Sequence, residues 1–190
     1  MPPLSSPAAV PAAHPLAWRR AVAIILGAAL VAVAAQVSIP LPATPVPLTL
    51  QPLAVLLVGA LLGPALGATS LILYLGLGAL GLPVFTPYGL PGLARLLGPT
   101  GGYLLAYPVA AFAVGRVAGD GKRWGRLALA LLAGLALIHL GGLAQLLILT
   151  GSAASAVRLG TVPFLLGDLL KLCLAILILR PTVSPLRARL

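Results

Sequence analysis

Two carboxylates, Asp120 and Asp168, are all the acid in a sequence of 190 residues, against 12 lysines and arginines. Asp120 stands beside Lys122 and Arg123 in the most polar segment of the chain, residues 119–126, and reads as a solvated loop residue. Asp168 lies in the apolar run Pro163-Phe164-Leu165-Leu166-Gly167-Asp168-Leu169-Leu170-Lys171. A charge there is costly and either hides in an ion pair or serves a site. Lys171 is three positions on, the spacing that puts both groups on one helix face. The pair is therefore either a structural ion pair or a polar anchor, with Asp168 accepting N–H bonds from a ligand and Lys171 offering a cation.

Arg95 is the third candidate. It is set among Gly89, Gly92 and Gly98, which permit tight turns and close backbone approach. It is either a headgroup-facing arginine or a guanidinium folded back toward a carboxylate. One acceptor and two cations suit a small ligand with N–H donors at one end and an anion at the other. Thr49, Gln51, Tyr88, Thr100 and Tyr103 are secondary candidates at the same ends of the apolar stretches, the tyrosines equally suited to anchoring at a membrane interface. His139 and Gln145 lie on different faces of one apolar stretch, and His139 has no His or Cys near it in sequence, so interhelical hydrogen bonding is expected of it rather than metal binding. Cys173 cannot form a disulfide within the chain and reads as a small buried hydrophobe. No Walker A, Gly-x-Ser-x-Gly or His-Glu-x-x-His motif is present.

The elements that hold these groups must be membrane helices. The sequence is 61% apolar and 7% charged, with a mean hydropathy of +1.14. Soluble domains carry about 25% charged residues, so this chain has too little polar surface for water. The net charge of +10 does not indicate nucleic acid, because the cations flank apolar stretches and form no aromatic-laced patch.

No charge interrupts residues 21–94, so Pro and Gly must divide the spans. Four prolines within residues 40–47 forbid a helix there, and Gly63-Pro64 makes a second break. Six spans are predicted, at about 18–37, 49–62, 65–81, 101–118, 127–149 and 163–179, with residues 1–17 a disordered tail, 150–162 a small-residue loop and 181–190 a C-terminal tail. With both termini inside, Arg19, Arg20, Arg116, Lys122, Arg123, Arg126, Arg180, Arg187 and Arg189 are cytoplasmic, and Arg95 and Arg158 are outside. That bias favours six spans over five. The expected class is an all-α integral membrane protein with six transmembrane helices and cytoplasmic termini. Ala23 with Gly27, and Ala28 with Ala32, form four-residue small stripes suited to internal packing or to docking a partner helix. Leu-Leu-Gly-Pro occurs at 61–64 and 96–99, as repeated helix-break chemistry.

The proline-rich run Ile39-Pro40-Leu41-Pro42-Ala43-Thr44-Pro45-Val46-Pro47-Leu48-Thr49-Leu50-Gln51 resembles the BioY family, the biotin-binding S components of energy-coupling factor (ECF) vitamin transporters. The likeness extends through Leu61-Leu62-Gly63-Pro64, Gly81-Leu82-Pro83-Val84-Phe85, Leu97-Gly98-Pro99-Thr100-Gly101-Gly102-Tyr103 and the Pro163–Lys171 run. It implies an S-component-like bundle in a prokaryotic cell membrane that captures biotin as its transported ligand, with no other cofactor. It implies that Arg95, Asp168 and Lys171 bind biotin, Asp168 at the ureido N–H groups and the cations at the carboxylate or in the pocket's electrostatics. The implied partners are a membrane coupling protein and two cytoplasmic ATPases, with docking expected along Ala23, Gly27, Ala28 and Ala32. A self-sufficient carrier working as a homo-oligomer and a lipid-modifying membrane enzyme are the alternatives.

Overall fold

The structure is a computed structural model that describes residues 15–188 and 190. The expected tail at 1–14 lies outside the described residues, as does Arg189. Eight α-helices, a short β-hairpin and one 3-10 turn follow in chain order. Helix α1, Pro15–Gln36, begins inside the segment expected to be tail, with Pro15 in a first turn that has no use for its missing N–H. The proline-rich stretch forms the loop of a hairpin between β1 (Ser38–Ile39) and β2 (Leu48–Thr49), in the antiparallel register Ser38 to Thr49 and Ile39 to Leu48.

Helices α2 (Gln51–Leu62) and α3 (Pro64–Ala79) form an antiparallel pair. Between them Gly63 takes φ 82°, a left-handed value that a Cβ disfavours. The second Leu-Leu-Gly-Pro copy serves likewise, ending α4 (Leu93–Leu97) ahead of α5 (Gly101–Ala118) at the other end of the bundle. Helix α6 spans Trp124–Thr150.

Two expectations are corrected beyond this point. The small-residue loop at 150–162 contains a helix, α7 (Ala153–Gly160), whose first turn is capped where Ser152 Oγ accepts from the Ser155 N–H at 3.3 Å. A 3-10 turn, Val162–Phe164, leads into α8, Leu165–Arg187, which runs on through Pro181 and Pro185 where a tail was expected. The Thr182 hydroxyl donates to the Ile178 carbonyl at 2.6 Å, a side-chain bond back to the preceding turn beside Pro181.

Among the described residues, four segments are long and apolar enough to cross a membrane: Leu16–Gln36, Gly101–Ala118, Trp124–Thr150 and the near-continuous Ala153–Arg187. Helices α2 and α3 are shorter. At 12 residues, α2 reaches only about 18 Å at 1.5 Å per residue. Groups in and beside the hairpin satisfy the start of the helix: the Gln51 N–H donates to Thr49 Oγ1 at 3.2 Å and the Leu50 N–H to the Val37 carbonyl at 3.3 Å. A short helix beside long ones leaves a hollow.

Backbone contact sets the helix spacing. A Cβ on Gly102 of α5 would stand 2.1 Å from the Gly141 carbonyl oxygen of α6, and one on Gly59 of α2 would stand 2.5 Å from the Ala111 carbonyl oxygen of α5. Dispersion between close backbones replaces the hydrophobic drive that a bilayer removes. One end of the bundle is closed by Arg187, which donates to the carbonyls of Ala60 (2.8 Å), Gly115 (3.0 Å) and Gly119, joining α8 to the last turns of α2 and α5. The first turns of α1 lie at this end too, since Arg20 Nε donates to the Leu190 carbonyl at 3.2 Å. The hairpin, the 80–100 connection and α7 form the opposite end, where Thr44 Oγ1 donates to the Leu159 carbonyl at 2.7 Å.

Candidate functional site

Below the hairpin lies a partly open cavity walled by the hairpin, the start of α2, the 85–104 segment, α6 and α8. Small-molecule sites combine apolar walls with a few convergent polar groups. Here Val46, Phe85, Leu104, Ile138 and Phe164 supply the apolar wall, and Asp168, Lys171, His139, Arg95 and Gln51 the polar groups.

Asp168 is 4% exposed and Lys171 6%. Lys171 Nζ stands 2.9 Å from Asp168 Oδ1, and His139 Nε2 stands 2.8 Å from Asp168 Oδ2. Asp168 is in the first turns of α8, where the helix dipole favours a negative charge. One carboxylate is thus held at both oxygens from two helices, and each oxygen keeps a second lone pair for another donor.

Arg95 is 6% exposed and does not face headgroups. Its Nε donates to the Leu90 carbonyl at 2.7 Å, Nη1 to Thr86 Oγ1 at 2.7 Å and to the Tyr88 carbonyl, and Nη2 to the Thr86 carbonyl at 2.9 Å. The guanidinium gathers the 86–90 loop around itself at the cavity wall, instead of meeting a protein carboxylate. Gly89, with φ 99°, makes room: a Cβ there would stand 3.0 Å from Nη1. Burial lowers the Arg95 pKa from its ordinary value, yet a guanidinium remains charged throughout the physiological range.

The secondary candidates divide. Thr49, Gln51, Thr100 and Tyr103 line the cavity. Gln51 Nε2 donates to Tyr74 Oη at 2.7 Å, and Thr49 Oγ1 donates to Gln51 Oε1 at 3.3 Å. Tyr103 Oη donates to the Gly160 carbonyl at 2.6 Å, so this tyrosine braces α7 and does not anchor at a surface. Tyr88 is 48% exposed and lines a neighbouring hollow between the hairpin and the 88–100 segment. His139 was expected only to bond between helices. It does so, to Asp168, and it also lines the cavity. Gln145, on another face of α6, donates to the Leu97 carbonyl at 3.0 Å and holds the α4–α5 turn.

The α1 stripe is split as well. Ala23 and Gly27 floor an apolar groove bordered by Leu61, Leu62, Leu186 and Leu190, with Gly27 closely packed on Ser70. Ala28 is buried and Ala32 half-buried, both packed against the core. Among the described residues no three His, Cys, Asp or Glu side chains are grouped to hold a metal ion.

Comparison with known proteins adds a family to this geometry. The chain is 42% identical over 155 residues to the probable biotin transporter BioY of Pyrococcus horikoshii, covering 82% of this chain and 90% of that one. It is 39% identical over 150 residues to the biotin transporter BioY of Thermotoga maritima, covering 79% and 87% respectively. Its fold superposes with a TM-score of 0.77 and 28% identity on the crystal structure of the S component for biotin from an ECF-type ABC transporter, across 87% of this chain and 90% of the other. The BioY family profile matches residues 8–188, and the chain belongs to the BioY family.

Proposed function

We propose that this protein is the biotin-binding S component of an ECF-type uptake transporter. The observation that carries the reading is Asp168, a buried carboxylate with free lone pairs on a mostly apolar cavity, with Lys171 beside it and Arg95 lining the same cavity. Biotin matches that arrangement group for group. Its ureido ring offers two N–H donors to Asp168, its fused rings suit the apolar wall, and its carboxylate calls for a cation, Lys171 or Arg95. With Asp168 offsetting one of those two cations, one positive charge remains for one anionic ligand. Binding and carriage need no covalent step.

In this reading the four long segments and the two shorter helices, α1, α2, α3, α5, α6 and α8 in all, traverse the cell membrane, both termini are cytoplasmic, and the cavity opens outward. A membrane coupling protein and two ATPases would energise delivery, with the coupling protein seated on the groove floored by Ala23 and Gly27. The deciding experiment is calorimetric titration of the detergent-purified protein with biotin. Tight one-to-one binding by the wild type, lost in Asp168→Ala, is expected; a correctly folded wild type that does not bind biotin overturns the proposal. Uptake into liposomes without any ATPase would replace the coupled transporter with a self-sufficient carrier.

A further inference from the structure

We propose that His139 is the positioning residue of this site, acting through Asp168 to fix the plane in which the carboxylate meets ligand N–H groups. The inference rests on the biotin-binding reading above and extends it to a side chain that no acid or base count singles out.

Asp168 has one partner on its own helix. Lys171 holds Oδ1 from the next turn of α8, but a single contact leaves the carboxylate free to pivot about it. The second contact comes from α6, where His139 Nε2 lies 2.8 Å from Oδ2. With both oxygens tied from different helices, the remaining lone pairs point in fixed directions. A ligand with two N–H groups then meets an acceptor that has already lost its rotational freedom, which is where preorganised affinity comes from.

The imidazole is itself held in a socket. Thr161 Oγ1 stands 3.4 Å from Nδ1. A single tautomer satisfies both contacts: Nε2–H donates to Asp168, and Nδ1 accepts from the Thr161 hydroxyl. The Tyr103 ring meets the imidazole edge to face, with centroids 6.2 Å apart and planes at 78°. That ring rests on Gly142, where a Cβ would stand 2.0 Å from its Cζ, and its hydroxyl is bound to the Gly160 carbonyl. Helices α5, α6 and α7 and the α7–α8 link thus all contribute to the orientation of one ring whose only charged partner is the recognition carboxylate.

Two amide substitutions separate this role from simple space filling. A glutamine side chain places its amide nitrogen near the position of Nε2, and an asparagine near that of Nδ1. Biotin is titrated into detergent-purified wild type, His139→Gln and His139→Asn, with ligand-free melting recorded for each. His139→Gln is expected to bind within about 3-fold of wild type, and His139→Asn about 10- to 100-fold more weakly, the range set by loss of a hydrogen bond to a charged group. Should the Asn variant fail to fold, His139→Leu takes its place with the same expectation. Equal affinities for the two variants, or a weaker Gln variant, overturn the inference while leaving the biotin reading intact. Absence of biotin binding by the wild type removes both.

Discussion

Asp168 and Lys171 serve stability and recognition at once, and substitutions can pull the two apart. Lys171→Met leaves a buried carboxylate with His139 alone, and losing one member of a buried pair costs up to about 3–5 kcal/mol. Removing the second charge as well, in Asp168→Asn/Lys171→Met, removes the cause of that loss. The single variant is therefore expected to melt well below wild type and the double variant to recover most of the difference, while biotin binding is lost in the double variant; a double variant that melts no higher than Lys171→Met contradicts the argument. Arg95 invites a different comparison. Arg95→Lys keeps the charge but cannot span Thr86, Tyr88 and Leu90, whose acceptors the guanidinium joins. Biotin dissociation is expected to accelerate by about tenfold or more, as loss of roughly one to two kcal/mol implies, and stopped-flow release of a fluorescent biotin analogue measures it. These three residues were legible in the sequence because charge is scarce in a bilayer and each ionised group must have a reason to be there. His139 was not. Its partner is 29 residues away on another helix, and helix periodicity says which residues share a face without saying what that face meets.

At the scale of elements, prolines and glycines made the breaks readable and contacts decided the rest. The proline-rich stretch could not be a helix, and it is the loop of a hairpin. Helix α7 escaped the sequence reading because eight residues give too few turns for a periodic signal, although Ser152 ahead of Ala153–Gly160 is a usable N-cap. Helix α8 outran its expected end because Pro181 and Pro185 cost only local backbone bonds, and Arg187 beyond them ties the last turn to carbonyls of α2 and α5. Glycine spacing marks where helices touch. Gly102→Ala would drive a methyl into the Gly141 carbonyl, so α5 and α6 must separate, an overpacking cost of about 1–3 kcal/mol. Gly76 of α3 has nothing within 4 Å of its Cβ position, and Gly76→Ala is expected to be neutral or to stabilise by up to about 1 kcal/mol. Thermal melting of the pair in detergent checks this. Because Tyr103 and His139 ride on the two helices that Gly102 joins, Gly102→Ala should weaken biotin binding as well, and Gly76→Ala should leave it unchanged.

For the whole molecule the question is which way the bundle faces. The eight described cations Arg19, Arg20, Arg116, Lys122, Arg123, Arg126, Arg180 and Arg187 occur at or near the end that Arg187 closes, and Arg180 lies 4.3 Å over the Trp124 ring there. Arg95 and Arg158 belong to the end that holds the cavity. A translocating chain retains Lys and Arg on the cytoplasmic side, so the orientation proposed above would turn the cavity toward the outside. Thiol labelling in intact cells tests this without reference to ligand. The lone native thiol, Cys173, is exposed in mid-α8 and not buried as its type suggests; with α8 crossing the bilayer it would face lipid, and a charged, membrane-impermeant maleimide should leave it unmodified. Tyr88→Cys, at an exposed position of the cavity end, should label in intact cells. Lys122→Cys, in the loop after α5, should label only after permeabilisation. The reverse pattern would put the cavity on the cytoplasmic side and make capture from outside impossible for this geometry. Labelling of both positions in intact cells would mean a mixed topology, which a charge asymmetry this lopsided argues against.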